Sequence, residues 1–168
     1  PADGKTPGEI ILQASCKSAL CYTQNPALTA ERYHDGWFYT HDVGTWDAQH
    51  FITVCGRRDD MIVCMGENIY PAQLEEILCR HPKVADCMVA GVPDASRGQS
   101  VAAYIIPADA SLTAQELGAW CARCDDLSAY KCPRYYRFVD TLPYNATGKK
   151  QHVLLQTQAE DDLQAGLL

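Results

Sequence analysis

The pattern of apolar and polar positions along the chain changes character near residue 60. Before it, short aromatic and aliphatic runs at 8–12, 37–40 and 51–55, punctuated by glycine and aspartate, predict strands. Asn25 followed by Pro26 predicts a short helix over 25–32, capped by Asn25 with proline at its first position. Asp35-Gly36 marks a turn. So few strands do not make a stable sheet alone, so this part is expected to dock on further structure.

After residue 60 the period alternates between two and 3.6. Residues 61–64 predict a strand, and Pro71 opens a helix to about 80 with Leu74, Ile77 and Leu78 on one face. Strands are predicted over 84–92, closed by Pro93, and over 100–106, closed by Pro107. Thr113 with Glu116 three residues later fits a capping box, opening a helix to about 124. Residues 134–139 predict a last strand, and 144–148 a turn before a short helical or coiled tail. The order β-α-β-β-α-β predicts an α+β fold, a small, partly antiparallel sheet with packed helices, preceded by a β-rich remnant.

Composition narrows the function classes. With 168 residues, 47% hydrophobic and 21% charged, the chain is globular and holds one domain, or one plus a piece of another. It has no apolar run of ~18 residues to cross a membrane. Residues 1–5 carry no apolar signal segment and read as a surface turn inside a longer chain. A net charge of -7 disfavours a nucleic-acid partner. Lys131, Arg134, Arg137, Lys149 and Lys150, set against Asp140 alone, make a local basic exception suited to a compact phosphorylated ligand. Nine cysteines with no secretory signal point to reduced thiols and a cytoplasmic location. Cys121 and Cys124 form the one CxxC; it reads as small apolar helix positions, ahead of a redox role. Pairs such as Cys16/Cys21, Cys55/Cys64 and Cys79/Cys87 lack zinc spacing, so no metal site is expected.

Three segments carry candidate chemistry. They are Asp35-Gly36-Trp37-Phe38-Tyr39-Thr40-His41-Asp42-Val43-Gly44, the run from Gly56-Arg57-Arg58-Asp59-Asp60 through Met65-Gly66-Glu67-Asn68-Ile69-Tyr70-Pro71, and Leu142-Pro143-Tyr144-Asn145-Ala146-Thr147-Gly148-Lys149-Lys150. Each alone is a modest signal: a cap, a turn, a solvated loop. In this order and spacing the chain resembles the C-terminal portion of the adenylate-forming superfamily of AMP-dependent synthetases and ligases. Its nearest pattern is the aryl-CoA ligase branch, such as 4-chlorobenzoate–CoA ligase.

The resemblance implies an acid–thiol ligase that joins a carboxylate to AMP, releases pyrophosphate, and passes the acyl or aryl group to the thiol of CoA. ATP/AMP and Mg are then the cofactors of the full-length enzyme and CoA the acceptor, with none expected to bind this portion tightly. Residues 1–58 correspond to the end of the large AMP-binding domain, and 59–168 to the small mobile C-terminal domain. No glycine-rich phosphate loop occurs in the chain, so this portion alone is expected not to adenylate. Its partners are the missing N-terminal domain, a carboxylic acid, ATP and CoA.

Residue by residue, the resemblance assigns Asp42 to the ribose hydroxyls, where a carboxylate accepts both protons. It assigns Arg57 to the nucleotide, with a rigid cationic fork. Asp59 matches the hinge, whose torsions absorb domain rotation. Gly66 and Glu67 match the loop lining the pantetheine tunnel; otherwise Glu67 reads as a helix-start carboxylate. Tyr130 and Arg134 match groups for the CoA nucleotide, Tyr130 reading equally as core filler. Lys149 matches the catalytic lysine that meets charge building on carboxylate and α-phosphate. Two positions depart from the usual glycines. His41 either crowds the ribose or, the favoured reading, faces solvent; Met65 either narrows the tunnel or turns away. Arg58 and Lys150 read as solvated charges. Alternatives are an adenylation domain loading a carrier protein, and a non-catalytic interaction module on the same small fold.

Overall fold

The computed structural model describes residues 1–14, 21–124 and 127–168; Cys16 lies outside them. The chain divides into two compact units, Pro1–Asp59 and Asp60–Leu168. Among the described residues no helix is long and apolar enough to cross a membrane.

The first unit is a four-stranded antiparallel sheet of β1 (Gly8–Gln13), β2 (Tyr33–His34), β3 (Trp37–Trp46) and β4 (Ile52–Arg57). Helix α1 (Pro26–Arg32) begins as its sequence predicts, with the Asn25 side chain accepting from the Leu28 amide. β3 runs well past the expected 37–40 and pairs with all three other strands. It bends on the way. His41 sits at φ 61, and the β4 register shifts between Val43 and Gly44. Gly44 is required there, because a Cβ would stand 2.8 Å from the Thr53 carbonyl oxygen.

The second unit is α+β. Its five-stranded sheet runs β6 (Glu67–Ile69), β5 (Ile62–Cys64), β8 (Gly98–Pro107), β7 (Val84–Asp94), with β9 (Tyr135–Phe138) parallel to β8. Side chains alternate along β7. Cys87 and Val89 enter a core with Leu74 and Leu78 of α2 (Pro71–Cys79) and Leu117 of α3 (Ala114–Cys121). Met88, Ala90 and Val92 enter a second core with Leu155 and Ala159 of α4 (His152–Gln164). Helices thus cover both faces, which is why β7 and β8 read as near-continuous apolar runs.

The differences from sequence have physical reasons. β7 continues through Pro93, which pairs with Gln99; an edge strand tolerates a missing donor. β6 is too short to show a period. α4 is a full helix because Leu155, Ala159 and Asp162 form a thin buried stripe, and the carboxylate in that stripe hides it from hydropathy. Asp162 accepts from Tyr104 Oη at 2.7 Å and pairs with Arg137 Nε at 3.1 Å. Thr113 caps α3, while the Glu116 carboxylate takes Lys83 Nζ at 3.0 Å. α3 ends at Cys121, leaving Cys124 beyond the helix.

Candidate functional site

In the first unit, the β3–β4 register sets Asp42 opposite Arg57, and Arg57 Nη1 donates to Asp42 Oδ1 at 3.0 Å. Both side chains stay half-exposed, 43% for Asp42 and 40% for Arg57. Thr40 Oγ1 accepts from the Asp42 amide at 3.0 Å and donates to the Ile10 carbonyl at 2.7 Å, tying the carboxylate's backbone to β1. The pair offers an acceptor beside a fixed cation, a chemistry suited to hydroxyls next to a phosphate.

His41 does not face solvent. It is 4% exposed, and Nδ1 lies 2.9 Å from Asp59 Oδ1. Arg58 Nη2 lies 2.9 Å from His41 Nε2. A guanidinium only donates, so Nε2 accepts and Nδ1–H donates to Asp59. Arg58 is likewise more than a solvated charge: it also reaches Glu9 Oε2 at 3.0 Å. The ring's contacts explain how a non-glycine residue holds a left-handed φ here. Asp59 therefore has a tied carboxylate, with Arg57 Nη2 at 3.4 Å and Arg32 Nη2 at 3.6 Å. Burial works to raise its pKa, but the His41 hydrogen bond and the two guanidinium charges outweigh it and hold the carboxyl below its ordinary value.

In the second unit the sequence-selected residues fall at two ends of β7. At the Asp94 end, β5 and β6 join through Met65-Gly66, both at positive φ (53 and 81), the pattern of a tight two-residue hairpin turn. Met65 is 53% exposed, so it does not fill the core. Lys131 Nζ comes within 3.9 Å of Glu67 Oε2, and Arg134 Nη1 meets Asp94 Oδ2 at 2.9 Å. Hydrogen bonds from Ser100 and Ser96 hold the Asp94 carboxyl well below the usual carboxylate range. Tyr130 is 49% exposed, so it is not core filler.

At the other end is the Lys149 loop. Asn145 Oδ1 accepts from the Thr147 amide, the Thr147 hydroxyl and the Lys149 amide within 3.0 Å, and Tyr144 bridges Lys150 across the loop base. Gly148, at φ 78, supplies the left-handed position this closure needs. Lys149 is exposed at the tip. Lys150 is not a surface charge: its Nζ donates to the Cys87 carbonyl at 2.6 Å and to Asp86 Oδ1 at 2.7 Å, 3.6 Å from Glu75 Oε2. Glu75 is buried, accepts from the Val89 amide at 2.9 Å and meets His152 Nε2 at 2.8 Å. Sequence reading missed this support; its signal was a glutamate three residues before Leu78, on the buried face of α2. Cys87 and Asp94, seven residues apart on β7, stand roughly 23 Å apart at ~3.3 Å per residue. Among the described residues no group of three His, Cys, Asp or Glu side chains is arranged to hold a metal ion.

Comparison with known proteins agrees on the lineage. Residues 73–149 match the AMP-binding enzyme C-terminal domain. The chain is 42% identical over 128 residues to the 2-succinylbenzoate–CoA ligase of Bacillus licheniformis, covering 76% of this chain and 26% of that protein. Among solved structures, the anthranilate CoA ligase AuaEII in complex with anthranoyl-AMP has a TM-score of 0.82 at 32% identity, over 100% of this chain and 32% of that one. The O-succinylbenzoate coenzyme A synthetase of Bacillus subtilis, in complex with ATP and magnesium ion, has a TM-score of 0.80 at 33% identity, over 90% and 30%. The chain thus spans about a quarter to a third of the length of these relatives. With the three motifs in order, the match over 73–149 and likeness to such ligases along its length, the chain belongs to the adenylate-forming superfamily, as a C-terminal portion of it.

Proposed function

We propose that this chain serves an ATP-dependent acid–thiol ligase that first makes an acyl-adenylate and then an acyl- or aryl-CoA thioester. Residues 1–58 then end a larger adenylation domain, and 59–168 are the small domain that turns about Asp59. The observation that carries this reading is the spacing within the second unit. The Lys149 loop and the Glu67–Arg134 end lie at opposite ends of one strand, so one reaction centre meets them in turn only if the small domain rotates. Lys149 brings a cation to charge developing on the carboxylate and α-phosphate. Asp42 and Arg57 hold ribose and phosphate, while Gly66, Glu67, Tyr130 and Arg134 serve CoA. Magnesium enters with ATP rather than through ligands of this chain. The exposed apolar side chains of the first unit, Phe51, Ile52 and Val54 among them, support packing on a larger domain of the same enzyme.

The test separates the half-reactions in the enzyme carrying this chain together with its larger domain. Lys149→Ala is expected to slow acyl-adenylate formation at least a hundredfold, the loss of ~3 kcal/mol or more at the transition state. Thioester formation from supplied acyl-adenylate should be largely spared. Equal losses in both steps would sink the assignment of Lys149 to the first. The chain by itself should show no acid-dependent pyrophosphate exchange.

A further inference from the structure

The Lys149 loop is moored on two adjacent residues of β7, and two thiols lie against the same residues. Lys150 Nζ holds the Cys87 carbonyl and one Asp86 oxygen, and the Tyr144 hydroxyl donates to the other Asp86 oxygen. Both flanks of the loop therefore depend on the position of residues 86 and 87. Cys79, the last residue of α2, is exposed, and Cys87 is buried beneath it. Their sulfurs stand 3.5 Å apart. Cys79 Sγ also lies 3.8 Å from Asp86 Oδ1, and Cys87 Sγ donates to the Glu75 carbonyl at 3.4 Å. The pair joins two different elements, so a bond between the sulfurs would be felt by both the helix and the strand.

We propose that Cys79 and Cys87 are a reversible thiol–disulfide site coupled to the mooring of the Lys149 loop. The oxidant is a low-molecular-weight disulfide such as oxidised glutathione. Cys79, the accessible thiol, gives its proton to water, and its thiolate attacks one sulfur of that disulfide. The oxidant's S–S bond breaks and one glutathione thiolate leaves, taking up a proton. Cys87 then gives up its proton and attacks the Cys79 sulfur, and the second glutathione departs as a thiol. Two electrons pass from the protein sulfurs to the small disulfide, which ends as two thiols. The second step is the slow one, because burial holds the Cys87 thiol protonated.

Closing the bond draws the sulfurs from 3.5 Å to about 2.05 Å. It also removes the proton that Cys87 gives to the Glu75 carbonyl. Both changes displace Cys87, whose own carbonyl holds Lys150 at 2.6 Å, a distance with little tolerance. The loop is expected to loosen. This inference needs only the mooring, so it stands or falls apart from the ligase reading.

The test uses the full chain in a glutathione redox buffer. Arg80 and Lys83 lie between the two cysteines, so tryptic digestion without reductant yields two peptides joined by a reducible link, and fragmentation of the joined pair must place that link on Cys79 rather than on Cys64 of the same peptide. Hydrogen exchange then reads the loop through the Lys149 and Gln151 amides, which donate to Asn145 Oδ1 and the Pro143 carbonyl. Oxidation should speed their exchange roughly tenfold. The Cys79→Ser chain, altered at an exposed position, should show no response to oxidant. A Cys79–glutathione adduct that never resolves, or a Cys79–Cys87 link no more frequent than in urea-unfolded chain, would overturn the site. Identical exchange in the two redox states would overturn the coupling.

Discussion

The two units use their apolar residues in opposite ways. Among the described residues of Pro1–Asp59, Val43 and Cys55 are the buried apolar side chains, while Phe51, Ile52 and Val54 stand 72%, 56% and 63% exposed. In Asp60–Leu168, Leu74, Leu78, Ile105, Leu117 and Leu155 are each at most 1% exposed. Fully burying one such side chain contributes roughly 1.5–3 kcal/mol. The second unit has enough of them to close its own core on both faces of its sheet. The first unit instead invests in polar ties: Arg58 to His41, His41 to Asp59, Arg57 to Asp42. The Arg57–Asp42 pair, half-exposed, gives geometry more than stability. One sequence thus holds a unit with a closed apolar core and a sheet that leaves most of its apolar side chains in water.

The largest test of that contrast is to separate them. Residues 60–168 alone should unfold cooperatively in urea, and residues 1–59 alone should show no cooperative transition. A sigmoidal melt from the shorter piece would break the comparison. Single truncations sharpen it next. Leu78→Ala should cost about 3 kcal/mol, by transfer plus a cavity, read as a shift in urea midpoint at unchanged slope. Phe51→Ala should stay within about 0.5 kcal/mol, since its ring is already in water.

A smaller effect is expected where the second unit buries charge. Asp162→Ala leaves the buried Tyr104 hydroxyl without its acceptor and takes the carboxylate from Arg137, which keeps the Leu167 carbonyl, costing about 2 kcal/mol by the same measurement. Glycine at two of the left-handed positions, Met65 and His41, divides the units again. Met65→Gly removes strain from an exposed turn and should be neutral or stabilise by up to about 1 kcal/mol. His41→Gly removes similar strain but also the ring between Arg58 and Asp59, so thermal melting should show a net loss.

The smallest effect is the pH response of His152. Its hydrogen bond to Glu75 raises its pKa above the ordinary value, against the burial that lowers it. A raised folded value means stability that is fully present below the unfolded value, near 6.5, and lost as pH rises through the folded one. His152→Gln should therefore destabilise more at about pH 5.5 than at about pH 9. A deficit that grows toward alkaline pH would remove the His152–Glu75 pair from the account.

Much of the fold was legible because its signals are local. The cap at Asn25, the helix face of Leu74, Ile77 and Leu78, and the apolar runs at 84–92 and 100–106, each closed by a proline, all follow from backbone periods and neighbouring residues. The three motifs were legible too, since their residue types and order survive on a linear string. What failed to show was of another kind. β6 was too short to carry a period, and the tail after 148, read as short helix or coil, hid its full helix α4 behind an aspartate on the buried stripe.

The sequence by itself determined the α+β arrangement of the second unit and the lineage of the chain, because periodicity, caps and motif order are written in consecutive residues. Only the tertiary structure decided which polar side chains are tied to distant groups. His41, Arg58 and Lys150 each read as solvent-facing along the chain, and each found its partners 17 to 75 residues away. A polar side chain leaves water only when distant groups replace every hydrogen bond it gives up. Those groups meet through strand register and helix packing.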